Sequence, residues 1–254
     1  MANEAPKKSN APMLIIGAVL VVALIGGWYM MSGRSGGNVN GPRPTPTKPA
    51  NAVPANAPQG ANPPNQAGSP TAAVTIEEFA DFQCPQCAAK HPVMNEIKAM
   101  YGSRIRFIFR DFPLKIPAHD KSYEAAVAAE AAGIQGKFWD MQNILFTNQQ
   151  AWTASPTYKQ IWKDYATRIG LDTTKWENDM IGIQAKGRVD QDINRGDALG
   201  VNSTPTVFIN GVNVDLSDMT VDAMKRLIDA ALQASAAKPA QPANTANTAA
   251  NSNK

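Results

Sequence analysis

The sequence predicts an α/β domain, and three observations support this fold class. A run of β-branched and aromatic residues leads into the motif Cys84-Pro85-Gln86-Cys87, and helix-compatible sequence follows the motif. Residues 104–110 place Ile105, Phe107 and Phe109 at alternate positions, on one face, as expected of a strand. A long helical stretch then separates this strand from a short hairpin pattern, so strands and helices mix along one chain.

An apolar span precedes this domain. Residues 13–31 form 19 consecutive positions without a charge, which as a helix would measure about 28 Å and match the core of a bilayer. Trp28 and Tyr29 stand where an interfacial aromatic belt would lie. We therefore predict a single, uncleaved transmembrane helix with residues 1–12 in the cytoplasm. A cleaved signal peptide is the alternative, although its apolar region would be shorter.

The stretches that flank the domain, residues 32–71 and 236–254, are rich in small and polar residues and in proline. They contain too few large apolar side chains to offset the entropy cost of ordering, so we predict a disordered linker and a disordered tail. The domain between them, residues 72–235, carries 17 Lys and Arg against 20 Asp and Glu, so the overall charge of +3 comes from the flanks. No basic stripe with interleaved aromatics occurs in the domain, and we expect no nucleic-acid partner.

Local patterns predict the first half of the domain. A strand is expected at about residues 73–80, and a helix at about 84–100. Pro92 lies inside this helix and should kink it, because proline removes one backbone hydrogen bond. The alternating strand at residues 104–110 follows, with its apolar side chains on one face.

The second half begins with apolar positions at helical spacing over about residues 120–199, which predict an inserted helical subdomain. Strands at residues 207–210 and 212–215 flank Gly211 and form a hairpin. A last helix begins near Thr220. Its apolar stripe predicts a buried face made of Val221, Met224, Leu227, Ile228 and Leu232.

The Cys-x-x-Cys motif lies where a strand passes into a helix. The first N–H groups of a helix lack intrahelical partners and carry partial positive charge, which lowers the pKa of a thiol from about 8.5 towards roughly 3.5 to 7.5. Cys84 is therefore the candidate nucleophile, and Cys87, one turn further on, is its resolving partner.

Two other roles for the motif remain open. Zinc would require four ligands, whereas the chain has only these two cysteines plus His91 and His119, at spacings that match no common zinc finger. A purely structural disulfide would close too short a loop to stabilise the fold much. His91 lies two helical turns beyond Cys84, so we interpret it as structural. Redox chemistry is the best use of the pair.

A second motif, Ser203-Thr204-Pro205-Thr206, begins a short strand some 120 residues later. With it, the chain resembles the DsbA-like branch of the thioredoxin-fold thiol-disulfide oxidoreductases over about residues 72–235. The matching words occur in the family's order: Phe82-Gln83-Cys84-Pro85-Gln86-Cys87, Phe109-Arg110-Asp111-Phe112-Pro113-Leu114, Gly136-Lys137-Phe138-Trp139 and Thr204-Pro205-Thr206.

The resemblance implies a thioredoxin-like fold in which the helical insert caps one side of the active site. It implies that Pro205 is cis and packs beside the active-site disulfide, and that Thr204 contacts the nucleophilic sulfur. Glu78 matches the buried acid that relays a proton to or from the resolving thiol, and burial would raise its pKa. Glu77, the next residue, would point to the opposite face, and either acid could instead be a partly solvated strand residue.

The function implied is that of an oxidoreductase that donates its disulfide to cysteines of exported proteins. The family implies reoxidation by a membrane quinone-linked thiol oxidase, and it requires no flavin, nicotinamide or metal. Two cysteines in a disulfide motif suit an oxidising compartment, so we expect a monomer anchored in a bacterial cytoplasmic membrane, with its domain on the periplasmic or extracellular side.

Gln86 departs from the strongest oxidants of the family, which have histidine there, and it supplies no positive charge to a Cys84 thiolate. The disulfide would accordingly be a weaker oxidant. A membrane-tethered reductase or isomerase is therefore an alternative. A non-catalytic peptide-binding or chaperone module of the cell envelope is a second, and a metal-binding protein a third.

Overall fold

A five-stranded mixed sheet forms the centre of the domain in a computed structural model, which describes residues 53–54 and 56–237. The strands lie in the order β1-β3-β2-β4-β5. β2 and β3 are parallel, and the other neighbouring pairs are antiparallel. The strand bounds are Asn65–Gly68 for β1, Val74–Ala80 for β2, Ile105–Asp111 for β3, Thr206–Ile209 for β4 and Val212–Val214 for β5.

The helices of the described residues lie before, within and after an insert between β3 and β4. Their bounds are Pro85–Tyr101 for α1, Ser122–Ile134 for α2, Phe138–Thr147 for α3, Gln149–Thr153 for α4, Tyr158–Arg168 for α5, Thr173–Ile181 for α6, Ile183–Ala198 for α7 and Val221–Ala237 for α8. Helices α2 to α7 form the insert, close to the predicted residues 120–199. The α/β fold class with an inserted helical subdomain is confirmed.

The two central strands are buried on both faces, as is usual for parallel strands covered by helices. Ile76, Phe107 and Phe109 belong to one core with Met94 and Ile97 of α1. Burial of such large apolar side chains, at roughly 25 cal/mol per Å², is the main force that holds the strands between helical layers. Neither acid of β2 is partly solvated, because both faces of the sheet are covered.

The last helix corrects one detail of the predicted buried face. Met224 and Ile228 are fully buried in the core, as predicted, but Leu227 is 40% exposed. Val221 and Leu232 are half-buried. Ala223 is buried beside Met224 and Ile228 instead. The buried face of this helix is therefore narrower than its apolar residues suggest.

The predicted disordered linker, residues 32–71, is wrong in its last part. β1 pairs antiparallel with β3, with Asn65 opposite Phe109, and Ala61 is 1% exposed. The segment contributes backbone groups rather than large side chains, and composition does not reveal backbone hydrogen bonds. The domain therefore begins before residue 72.

Other predictions fall partly or wholly outside the described residues. The cytoplasmic segment 1–12, the transmembrane helix 13–31 and most of the tail 236–254 lie there. Residues 236 and 237 are described and continue α8, so the tail begins later than predicted. Among the described residues, no helix combines the length and the apolar character that a membrane span requires.

Candidate functional site

Cys84 lies at the N-terminal end of α1, as the sequence predicts. It is the N-cap residue, in extended conformation, and Pro85 follows as the first helical residue. Proline suits this position because its missing N–H would have no partner there in any case. The Cys84 amide donates to the carbonyl oxygen of Asp81 at 3.1 Å, which closes the turn between β2 and the helix.

The two thiols have opposite environments. The hydrogen bond from the Cys87 thiol lowers the pKa of Cys84 to about 5, against the effect of burial, and the amides of Cys87 and Gln86 contribute further. Burial raises the pKa of Cys87 well above its usual value, and the adjacent Cys84 thiolate adds to this effect. Both thiols are unpaired in this structure. The geometry thus provides a thiolate at Cys84 and a protonated thiol at Cys87.

The second motif lies directly against the first. The Thr204–Pro205 peptide bond is cis. The Cys84 thiol can donate to the carbonyl oxygen of Thr204 at 3.2 Å. The Thr204 hydroxyl is buried and finds no hydrogen-bond partner among the described residues. The fold therefore brings together two motifs that lie 120 residues apart.

Glu78 is buried on β2, the strand that leads to the cysteines. Burial raises the pKa of Glu78 to about 7, and the Lys98 ammonium opposes the rise. Lys98 lies on α1 with its Nζ atom 4.3 Å from the centre of the Trp139 ring. Burial lowers the pKa of Lys98, and the Glu78 carboxylate opposes that shift.

Sequence reasoning missed Lys98, although a pattern for it was available. The buried residues of α1 are Cys87, His91, Met94, Ile97 and Tyr101. Lys98 falls on the same stripe, at helical spacing from Met94 and Tyr101. A lysine on an otherwise buried helix face indicates an acid nearby, and Glu78 is the acid whose charge opposes the lowering of the Lys98 pKa.

Glu77 points to the opposite face of the sheet, as predicted, and binds two arginines. Arg110 Nε donates to its carboxylate at 2.7 Å and Arg195 Nε at 2.6 Å. Burial raises the pKa of Glu77, but the two guanidinium groups together hold it below its usual value. The same arginines donate to backbone carbonyl oxygens of residues 58, 59 and 61. Glu77 therefore fixes the N-terminal segment and does not face the cysteines.

Neither histidine is hydrogen-bonded to a cysteine sulfur atom among the described contacts. His91 Nε2 is 2.9 Å from Asn143 Oδ1, and the ring packs on Phe146, so its position is structural, as predicted. His119 Nδ1 is 2.6 Å from Asp81 Oδ2.

Potential metal ligands come together elsewhere in the described part of the chain. The buried carboxylates of Asp111, Glu130 and Asp192 each place one oxygen within 4.8 Å of the others. Arg110 already binds Asp192 and Arg188 binds Glu130, which offsets two of these charges. Neither cysteine belongs to this cluster.

Two cavities lie near the two motifs. One of about 580 Å³ lies between Pro85 and Ala88 of α1 and residues 146–151 of the insert. The other, of about 380 Å³, is lined by Ser203 and Thr206, which bracket the cis-proline loop, and by residues of the N-terminal segment. The first cavity therefore adjoins the cysteine motif at Pro85, and the second adjoins the cis-proline loop.

Comparisons with known proteins agree with this architecture. Residues 62–230 match the model of a protein family described as Thioredoxin. The thiol-disulfide exchange protein α-DsbA2 from Wolbachia pipientis has a similar structure, with a TM-score of 0.55 at 20% identity over 66% of this chain and 87% of that one. Oxidised BdbD from Bacillus subtilis gives a TM-score of 0.56 at 21% identity over 70% of this chain and 98% of that one.

The chain also matches curated relatives, but only over a small part of each relative's length. A protein named Na(+)/H(+) antiporter NhaA 1, from Mycolicibacterium gilvum, is 37% identical over 146 residues, which are 57% of this chain and 23% of that protein. The chain spans about a quarter of the length of the curated relatives it matches. The family model covers more than half of the chain, and the solved structures have a similar fold. The chain therefore belongs to the thioredoxin family and has the fold of its DsbA-like members.

Proposed function

We propose that this protein exchanges its Cys84–Cys87 disulfide with cysteines of exported proteins and acts as a disulfide donor. The observation that carries the proposal is the position of Cys84, whose sulfur lies at a helix N-terminus and 3.2 Å from the Thr204 carbonyl oxygen, with Cys87 buried behind it. A nucleophile accessible from one side and a resolving thiol on the other are what disulfide exchange requires.

The reaction begins with the oxidised pair. A substrate thiolate attacks Cys84 Sγ, the Cys84–Cys87 bond breaks, and a mixed disulfide forms while Cys87 leaves as a thiolate and takes up a proton. A second substrate thiolate then attacks the substrate sulfur and releases Cys84 as a thiolate. Two electrons pass from the substrate to the pair. A pKa of about 5 makes Cys84 a good leaving group in this last step.

Glu78 is proposed to relay the proton that Cys87 takes up and later gives back. A carboxyl group with a pKa of about 7 can both donate and accept a proton near neutral pH. The burial of Glu78 on the strand that leads to the cysteines, and the opposing effect of the Lys98 charge on its pKa, support this proposal.

The two cavities near the motifs are proposed to take up unfolded polypeptide. One is lined by residues of α1 and the insert, and the other by residues around the cis-proline loop and by the N-terminal segment. Substrate backbone is proposed to pair with Thr204 in the manner of an added strand.

Several further proposals rest on the family resemblance. A membrane quinone-linked thiol oxidase would reoxidise the pair, without any other cofactor. Residues 13–31 would anchor a monomer in a bacterial cytoplasmic membrane, with the domain facing the periplasm or the extracellular side. The curated relatives are named as antiporters, but we do not propose antiporter activity for this chain.

A reductase or isomerase is the second candidate, and Gln86 favours it, because an uncharged amide does not stabilise the Cys84 thiolate as histidine would. The reduction potential of the full chain in glutathione buffers decides between the two. A value near about −120 to −180 mV supports a donor, whereas a value near about −270 mV contradicts it and indicates a reductase.

Trapping separates redox activity from binding alone. With Cys87→Ala, mixed disulfides with substrates should accumulate in cells, because no internal thiol can release them. The matched control is Cys84→Ser, which should form none. If Cys87→Ala also forms no thiol-sensitive adducts, the redox proposal is wrong and a non-catalytic binding module remains.

A further inference from the structure

Asp81 joins the strand to both cysteines through its backbone. Its N–H donates to Cys87 Sγ at 3.5 Å, and its carbonyl oxygen accepts from the Cys84 amide at 3.1 Å. A shift of Asp81 would therefore alter one hydrogen bond to each cysteine. This residue follows the last position of β2 and is 1% exposed.

Four donors hold the Asp81 carboxylate. Oδ1 accepts from the Gln83 amide at 2.7 Å and from the Ser122 hydroxyl at 2.5 Å. Oδ2 accepts from the Leu114 amide at 2.9 Å and lies 2.6 Å from His119 Nδ1. A carboxylate has acceptor sites for four such bonds, so every position is used.

These donors come from three different parts of the chain. Gln83 belongs to the cysteine loop, Leu114 and His119 to the connection after β3, and Ser122 to the first turn of the helical insert. The carboxylate thus ties the cysteine loop to the insert and to the neighbouring connection. A buried and fully bonded network of this kind specifies one arrangement of its members.

We infer that Asp81 is a positioning residue for the disulfide exchange, and that it holds Cys87 where it can attack a mixed disulfide on Cys84. The inference rests on the proposed function. In the forward test reaction with glutathione disulfide, the Cys84 thiolate attacks and releases one glutathione thiolate. The Cys87 thiolate then attacks Cys84 Sγ and releases the second. Only this second step depends on the position of Cys87.

The variant Asp81→Asn would keep the shape of the side chain but could not accept all four hydrogen bonds. Ser122 can turn its hydroxyl and His119 can change tautomer to accept from an amide NH₂ group, but backbone amides cannot. In either orientation of the side chain, Gln83 or Leu114 loses its acceptor. The four bonds fix the loop that carries both cysteines, so we expect the lost bond to weaken closure of the disulfide more than it affects the open dithiol. The full value of a buried hydrogen bond, on the order of a factor of ten in an equilibrium constant, is the size of the effect expected.

The test measures the full chain in buffers of reduced and oxidised glutathione. For Asp81→Asn we expect the equilibrium between dithiol and disulfide to shift about tenfold towards the dithiol, and the Cys84–glutathione mixed disulfide to rise about tenfold. Ser122→Ala removes one donor without changing charge and should shift both quantities less, in the same direction. Asp164→Asn, an exposed acid whose side chain accepts from Gln160, is the matched control and should leave both unchanged.

The opposite results would overturn the inference. A folded Asp81→Asn chain with wild-type values contradicts it. So does a fall in the mixed disulfide, which would mean that the charge of Asp81, and not its position, affects Cys87. If Asp81→Asn does not fold, Ser122→Ala decides, and wild-type values there count against the inference. A wild-type cysteine pair that does not exchange between dithiol and disulfide in these buffers would instead refute the proposed function itself.

Discussion

Glu77 and Glu78 are adjacent acids with opposite roles, because successive residues of a strand point to opposite faces of the sheet. Glu77 meets two guanidinium groups, and its pKa lies below the usual value even though burial opposes this. Glu78 meets apolar surroundings and one lysine, and burial raises its pKa to about 7. The residues packed on each face of the sheet thus decide which acid forms ion pairs and which acid can carry a proton.

This contrast predicts opposite responses to pH. The pKa of Glu78 is raised from 4.5 to about 7, so its contribution to stability is complete below 4.5 and is lost as pH rises through about 7. Glutamine cannot ionise. The free energy of unfolding is measured in urea for the wild type and for Glu78→Gln. Between about pH 5 and pH 8, the wild type should lose on the order of 1–2 kcal/mol relative to the variant.

Glu77→Gln is the control with the opposite sign. The pKa of Glu77 is lowered, so its contribution is present above 4.5 and is lost as pH falls through the lowered value. The variant leaves Arg110 and Arg195 without their shared partner and should be less stable by about 3 kcal/mol at neutral pH. Equal pH profiles for the two variants would contradict this account.

The reactive thiol gives a second prediction at the scale of one residue. The pKa of Cys84 falls from 9.0 to about 5, so the stability it adds to the reduced protein is present above 9.0 and is lost as pH falls through about 5. Thiolate absorbance of the reduced chain should show a transition near pH 5 that Cys84→Ser abolishes. A transition near 9 would show that the helix N-terminus and Cys87 do not stabilise the thiolate.

At the scale of an element, β1 depends on the residue that ends it. Gly68 has φ +79, and a Cβ atom there would overlap the backbone carbonyl oxygen of Ile105 and lie only 2.7 Å from that of Gly102. Backbone atoms cannot move aside as a flexible side chain can. The strand can therefore turn away from β3 only where no side chain is present.

Two glycine variants separate this close approach from the strain of a positive φ. Gly170 also has φ +79, but open space surrounds it. Gly170→Ala should lower the free energy of unfolding by about 1 kcal/mol, the cost of the left-handed conformation. Gly68→Ala should cost about 3 kcal/mol, because a clash with backbone is added. Similar urea midpoints for both variants would show that β1 is not held against β3 at this point.

At the scale of the whole molecule, residues before 72 complete the domain. Arg110 and Arg195 donate to backbone carbonyl oxygens of residues 58–61, and Asn65 Nδ2 donates to the buried Glu130 at 2.7 Å. These bonds join the N-terminal segment to the sheet and to the insert. They also satisfy charged groups that would otherwise be buried without partners.

A chain that begins at residue 72 should accordingly be less stable than one that begins at residue 53. The shorter chain loses a strand and leaves several donors of Arg110 and Arg195 unpaired, so we expect a loss of more than about 3 kcal/mol in urea unfolding. Equal stability of the two chains would show that the segment is an accessory to the domain.

The sequence predicts best what is encoded locally. Cys84 and Cys87 lie beside a strand-to-helix junction that composition alone indicates, and the Thr204-Pro205 motif precedes a strand with clear β-branched and aromatic character. Lys98 could also have been predicted, because its spacing from Met94 and Tyr101 puts it on the buried face of α1. These residues need no knowledge of distant partners.

The remaining features depend on partners far along the chain. Asn65-Gln66-Ala67-Gly68 has no strand composition, and it is a strand because β3 offers it backbone groups. The four donors around Asp81 come from separate segments that meet only in the folded state. No local pattern contains such information.

The pairing of β1 with β3 has one further consequence, which concerns association between molecules. Without β1, the edge of β3 would expose a row of unpaired N–H and C=O groups along a strand rich in isoleucine and phenylalanine. Long apolar edges of this kind pair with the edges of other molecules and lead to aggregation. With that edge covered, the edges of the described sheet are four-residue β1 and three-residue β5, and both are too short to serve as good templates. A short stretch of small and polar residues thus also protects the domain from adding copies of itself.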